Sequence, residues 1–181
     1  MIVERTALEG LLLIRPDVFG DERGHFLESF NARKFADATG LDVQFVQDNE
    51  SRSAANVLRG LHLQRAPHAQ GKLVRVVVGS VMDVCVDLRP GSATFGRHVK
   101  LRLDDRGKEM LYVPEGFAHG FVSLEDGTIF TYKCTALYHP PAERILKWDD
   151  PDLGIDWGVK DPVVSARDRA GKAFKEEPWA N

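Results

Sequence analysis

Apolar and polar residues alternate along much of this chain in short stretches that end at Gly, Pro or Asp, the period-two signature of half-buried β-strands. In His98-Val99-Lys100-Leu101-Arg102-Leu103 the odd positions are apolar and the even ones basic, so the segment predicts a strand with one dry and one wet face. Residues 81–88, 128–135 and 25–30 carry a similar pattern, while residues 72–78, largely apolar around Arg75, predict a more deeply covered strand. One helix is predicted at residues 31–39, with Asn31 placed to cap its first turn and Gly40 just past its end. A weaker signal places another short helix near the C-terminus, and the Pro-, Asp- and Gly-rich segment after Asp149 predicts ordered loops wrapped over the strands. No internal repeat or low-complexity linker interrupts residues 1–181, which predict a single, mainly β domain of barrel or sandwich type.

Composition trims the functions open to such a domain. With 181 residues, 43% hydrophobic and 28% charged, the chain can bury a substantial core and matches neither a disordered nor a membrane protein. No apolar run approaches the roughly 20 residues that cross a bilayer. The N-terminus lacks a basic stretch followed by an apolar one, and a cytoplasmic location is the expectation. A formal net charge of −3 argues against nucleic acid as the main partner but leaves room for a local basic pocket that takes a small anion. Cys85 and Cys134 form no short-spaced metal pair and no disulfide framework, and read as buried free thiols.

Strand parity then picks out candidate chemistry, because residues two apart share a face and one face of a small barrel lines its interior. Lys72 shares the apolar face of Val74, Val76 and Val78, where it either snorkels at the barrel mouth or stands in a pocket. Tyr132 falls with Phe130 and Cys134, and taken alone reads as a core tyrosine. Gln47 and Asn49 share parity with Phe45, which puts amides where an all-apolar core would not want them. Gly60, His62 and Gln64 share one face; His62 by itself satisfies a buried hydrogen bond or points at a ligand.

A metal has to be weighed against this. Pro114-Glu115-Gly116-Phe117-Ala118-His119 resembles the second motif of cupins, barrels whose inward histidines often hold iron, manganese or zinc. In the first cupin motif a second histidine and a glutamate complete the site; here those positions are Gln64 and Lys72. An ammonium in place of a carboxylate repels a divalent cation, and the spacing of His68, His98 and His139 fits no standard ligand pattern. No metal and no other cofactor is therefore expected.

Phe19-Gly20-Asp21-Glu22-Arg23-Gly24, Gln47-Asp48-Asn49, Arg59-Gly60-Leu61-His62, His68-Ala69-Gln70-Gly71-Lys72, Pro114-Glu115-Gly116-Phe117-Ala118-His119-Gly120-Phe121, Tyr132-Lys133 and Ser165-Ala166-Arg167-Asp168 closely resemble the dTDP-4-dehydrorhamnose 3,5-epimerase family, in order and over most of the chain. The resemblance implies a cupin-like double-stranded β-helix, or jelly-roll, barrel with a few short helices. It also implies a cofactor-free homodimer acting on a dTDP-sugar, the 4-keto-6-deoxyglucose, at C3 and C5. The implied catalytic set is His62 as base, Asp168 holding its imidazole, Lys72 near the C4 oxygen and Tyr132 as proton donor on the far face, with His119 as a second donor. Arg23 and Arg59 would clamp the diphosphate; Glu28, Gln47 and Asn49 would read the nucleoside; Tyr138 would stack on the base. Phe19, Glu143 and Arg167 occupy further binding positions, and the segment with Arg23 and Glu28 would be lent to the partner subunit's site. Leu63 and Glu50 depart from the family pattern of an aromatic residue and a histidine, which keeps a C3-only or C5-only monoepimerase in view. A non-catalytic sugar-nucleotide binding module and a metal-dependent cupin oxygenase are the remaining alternatives.

Overall fold

The computed structural model describes residues 1–176 and Trp179. Its first strands are β1 (Ile2–Arg5), β2 (Leu12–Arg15), β3 (Val18–Asp21) and β4 (Gly24–Leu27), followed by helix α1 (Ala32–Thr39). Then come β5 (Gln47–Ser53), β6 (Val57–Gln64), β7 (Lys72–Val78), β8 (Ser80–Asp87), β9 (His98–Asp104), β10 (Met110–Val113), β11 (Phe117–Ser123) and β12 (Thr128–Cys134). After a 3₁₀ turn at Pro140–Ala142 the chain adds β13 (Glu143–Ile145), β14 (Val163–Val164) and helix α2 (Ala166–Arg169). One sheet has the order β1-β2-β10-β7-β12-β5 and the other β13-β6-β11-β8-β9, with β14 alongside β6. From β5 to β12 the chain crosses repeatedly from one sheet to the other, which is how a jelly roll closes a cupin-like barrel.

The strand expectations for residues 72–78, 81–88, 98–103 and 128–135 hold to within a residue at each end. The expectation for residues 25–30 is corrected: β4 ends at Leu27, and β3 and β4 form an isolated hairpin whose residues are nearly all exposed, with no layer of the described residues beneath them. Val78 also departs from its predicted face, being 44% exposed where the β7–β12 register shifts. The tail after Asp149 is more than loops, since it supplies β14 and α2 and buries Leu153, Trp157 and Val164 against the second sheet. Residues 177, 178, 180 and 181 of that tail lie outside the described residues.

Three apolar layers set the frame. Val74, Val76, Val81, Cys85, Phe121 and Phe130 fill part of the space between the sheets. The tail covers the back of the second sheet. Helix α1 covers the back of the first through Phe35, packed on Leu73, Met110 and Tyr112. Burying one such phenylalanine is worth about 1.5–3 kcal/mol. The helix is closed at both ends as its sequence demands: Asn31 Oδ1 accepts from the Lys34 N–H at 3.1 Å, and Gly40, at φ 72°, donates to the Ala36 carbonyl at 2.8 Å.

Within the second sheet, the closest backbone approach that matters for function lies where β6 meets β11. A Cβ on Gly60 would stand 2.5 Å from the Gly120 Cα, and one on Gly120 would stand 2.7 Å from the Arg59 carbonyl. Gly60 also holds φ 137°, a conformation that L side chains disfavour. This glycine pair lets the strands touch at the irregularity between His119 and Phe121, and it seats His62 directly opposite His119.

Candidate active site

A cavity of about 560 Å³ opens between the sheets, lined by His62, Lys72, His119, Tyr132 and Arg59 and closed on one side by β14 and α2. A second chamber of about 350 Å³ adjoins it and shares His62, Lys72, Tyr132 and Arg167 as walls. The first sheet contributes Lys72 and Tyr132, the second His62 and His119, so these groups face one space from two sides.

His62 is oriented by Asp168, whose Oδ1 lies 2.7 Å from Nε2. The carboxylate arrives from α2, where Ser165 caps the helix by accepting from the Asp168 N–H at 3.0 Å. Burial pushes the Asp168 carboxyl up, but the His62 hydrogen bond and charge, together with bonds from Ser165 and the Gly60 backbone, outweigh it and hold the group below the usual carboxylate range. An ionised Asp168 fixes the imidazole by its Nε2 edge.

Lys72 is buried, and its Nζ donates to the His62 carbonyl at 3.2 Å. It has no carboxylate in salt-bridge contact among the described residues. Burial drives its pKa below the ordinary lysine value, with nearby Cys134, Cys85 and Asp83 opposing that shift. An ammonium left this poorly compensated has capacity to stabilise a second negative charge. Tyr132 has its phenol pushed up by burial, which keeps it protonated and able to donate at neutral pH.

The sequence reading missed Asp83, which holds His119 through Nε2 at 2.9 Å and is buried. Its signal was available: Asp83 shares parity with Val81 and Cys85 on the inward face of β8, where a carboxylate requires a partner. Asp83, Cys85 and His119 also form the one grouping of potential metal ligands among the described residues, their ligand atoms within 4.8 Å of one another. The cluster suits a metal poorly, because burial pushes the Cys85 thiol well up and the Lys72 ammonium acts on the same pair.

The second chamber gathers most of the remaining candidates. Gln47 Oε1 accepts from the Tyr138 N–H at 2.8 Å, and Gln47 Nε2 donates to Asn49 Oδ1 at 3.0 Å. Tyr138 donates to Glu143 at 2.9 Å while Arg167 contacts both, leaving the Tyr138 ring half exposed at the chamber. Arg59 is aimed along β5 by Ser53 Oγ at 3.1 Å and the Arg52 carbonyl at 3.3 Å. Three residues are not brought to this site by their own chain. Phe19 and Arg23 line a separate cavity on the β3–β4 hairpin, with Arg23 paired to Asp21. Glu28 is tied to Lys34 and Asn31 beside α1.

A family model for dTDP-4-dehydrorhamnose 3,5-epimerase matches residues 5–176. The chain belongs to that family. Among its relatives is the dTDP-4-dehydrorhamnose 3,5-epimerase of Pseudomonas aeruginosa, 52% identical over 97% of both chains. The solved dTDP-6-deoxy-D-glucose-3,5-epimerase of Legionella pneumophila, in complex with dTDP-4-keto-L-rhamnose, is 46% identical with a TM-score of 0.91, covering 94% of this chain and 91% of that one. A 3′-monoepimerase from Streptomyces bikiniensis in complex with dTDP-quinovose has a TM-score of 0.89 at 34% identity, covering 94% of this chain and 86% of the other. The dTDP-4-dehydrorhamnose 3,5-epimerase family is thus reached from sequence and from structure together. No helix of the described residues is long and apolar enough to cross a membrane.

Proposed function

We propose that the chain epimerises dTDP-4-dehydro-6-deoxy-D-glucose at both C3 and C5, giving dTDP-4-dehydro-L-rhamnose. The observation that carries the reading is the pairing of an oriented base, His62 on Asp168, with a buried ammonium, Lys72, in one cavity. A ketone at C4 acidifies the protons on both neighbouring carbons, provided the enolate oxygen is stabilised. His62 removes the proton, Lys72 and His119 receive the developing charge on oxygen, and Tyr132 returns a proton from the opposite sheet. Gln47, Asn49, Tyr138, Glu143 and Arg167 take the nucleoside end, and Arg59 the diphosphate. No step requires a metal or an organic cofactor.

Incubation of the keto-sugar nucleotide in D₂O is expected to place deuterium at C3 and C5, read by NMR. Label at one carbon alone identifies a monoepimerase, and no label at all removes the enzymatic reading. The Tyr132→Phe variant retains exchange while product inversion falls by about 10² or more.

The reading includes a homodimer with shared sites, supported by the uncovered hairpin. Phe19 and Phe26 pair across it at 64% and 68% exposure, an aromatic face with no cover among the described residues, and Arg23 rides beside them. If Arg23 serves the partner's cavity, Arg23→Ala and His62→Ala chains refolded together regain about a quarter of wild-type activity, because half of the dimers are mixed and each holds one intact site. No recovery places Arg23 in its own chain's site, and an Arg23→Ala chain that is active by itself removes it from the function. A cytoplasmic setting accords with a nucleotide-sugar substrate.

A further inference from the structure

β5 carries an unusual inward face. Gln47, Asn49, Ser51 and Ser53 follow one another at every second position, a polar stripe along the wall of a barrel whose other strands turn largely apolar residues inward. Three of the four are accounted for: Gln47 and Asn49 bond to one another, and Ser53 holds Arg59. Ser51 is different. Its Oγ is buried and has no hydrogen-bond partner. A buried hydroxyl left unpaired is costly, and native proteins retain few of them.

We infer that Ser51 is a substrate-binding residue whose hydroxyl is satisfied only by a hydroxyl of the bound sugar ring. Ser51 lines the chamber that holds His62, Lys72 and His119, and does not line the adjoining one that holds Gln47 and Tyr138. That places it at the sugar rather than at the base. Its cross-strand neighbour on β12 is Phe130, which stacks on Phe121 with centroids 4.1 Å apart, so the strand beside it offers an apolar side chain and no partner. Because Oγ is closed off in the free protein, the inference includes a turn of the Ser51 side chain to another of its three staggered positions when the sugar binds. The free protein therefore stores an unpaired donor and acceptor that the sugar completes, and ligands without a ring hydroxyl at that point are disfavoured.

This inference rests on the sugar-nucleotide reading above, and binding separates the two. With dTDP-glucose, which lacks the keto group and cannot be turned over, Ser51→Ala is expected to raise Kd about tenfold by calorimetry while Kd for dTDP stays within about twofold of wild type. The melting temperature of the free variant is unchanged or higher, since alanine removes an unsatisfied group. Equal weakening of both ligands assigns the hydroxyl to the nucleotide and overturns the inference. So does unchanged binding of dTDP-glucose, or a lower melting temperature, which marks a structural hydroxyl. A wild-type protein that binds dTDP-glucose but shows no deuterium exchange ends the epimerase reading and leaves the Ser51 result to stand or fall by its own ratio.

Discussion

Replacing His62 with alanine is expected to abolish deuterium exchange at both C3 and C5, with turnover reduced by about 10³-fold or more. A positioned general base is typically worth about 10² to 10⁴. The upper part of that range applies because no second base of suitable kind stands ready. His119, the other imidazole in the cavity, is directed at Asp83 and is far less exposed than His62. Folding should survive the change, as the His62 side chain is 29% exposed and Asp168 keeps its bonds from Ser165 and the Gly60 backbone. A melting curve close to wild type alongside silent NMR exchange satisfies the expectation. Exchange that persists at one carbon would assign that carbon a different base, and full exchange would remove His62 from the chemistry.

The residues explain how far the sequence could be read. Period-two alternation located the central strands, because each has one face against the interior of the barrel and so writes burial directly into the chain. It also put Lys72 and Tyr132 on apolar faces before any pairing was known, but for His62 it said only that the residue shares a face with Gly60 and Gln64, opposite Leu61 and Leu63. It could not say that β6 and β7 belong to opposite sheets, the fact that brings Lys72 to the His62 carbonyl, because sheet membership depends on crossovers and leaves no local trace. The β3–β4 hairpin failed for a related reason: its apolar residues imply a covering layer, and none comes from the described residues. Asp168 was named from a motif alone. Its arrival at His62, separated from it by 106 positions, depends on β14 pairing with β6 and on Ser165 starting α2 at that point.

Lys72→Met should separate catalysis from stability in opposite directions. The rate is expected to fall about 10²- to 10³-fold, the usual cost of removing one donor to a developing oxyanion, roughly 3–4 kcal/mol. Stability at neutral pH should rise instead. Methionine fills nearly the same space without a charge, whereas Lys72 is a buried ammonium whose pKa burial drives below its ordinary 10.5. The sign follows from linkage: between the depressed folded value and 10.5 the unfolded chain binds more protons than the folded one, so wild-type stability rises with pH through that window. Below the window the charge penalty is present in full, and above it the penalty is gone. The advantage of Lys72→Met in urea unfolding is therefore largest below the folded pKa and shrinks as pH approaches 10.5. A variant less stable than wild type at neutral pH would show that the ammonium is compensated within the fold, and retained turnover would place the stabilising charge elsewhere. Both outcomes together would leave Lys72 a structural cation, whereas the expected pair makes it a group held at a cost to folding for the sake of the enolate.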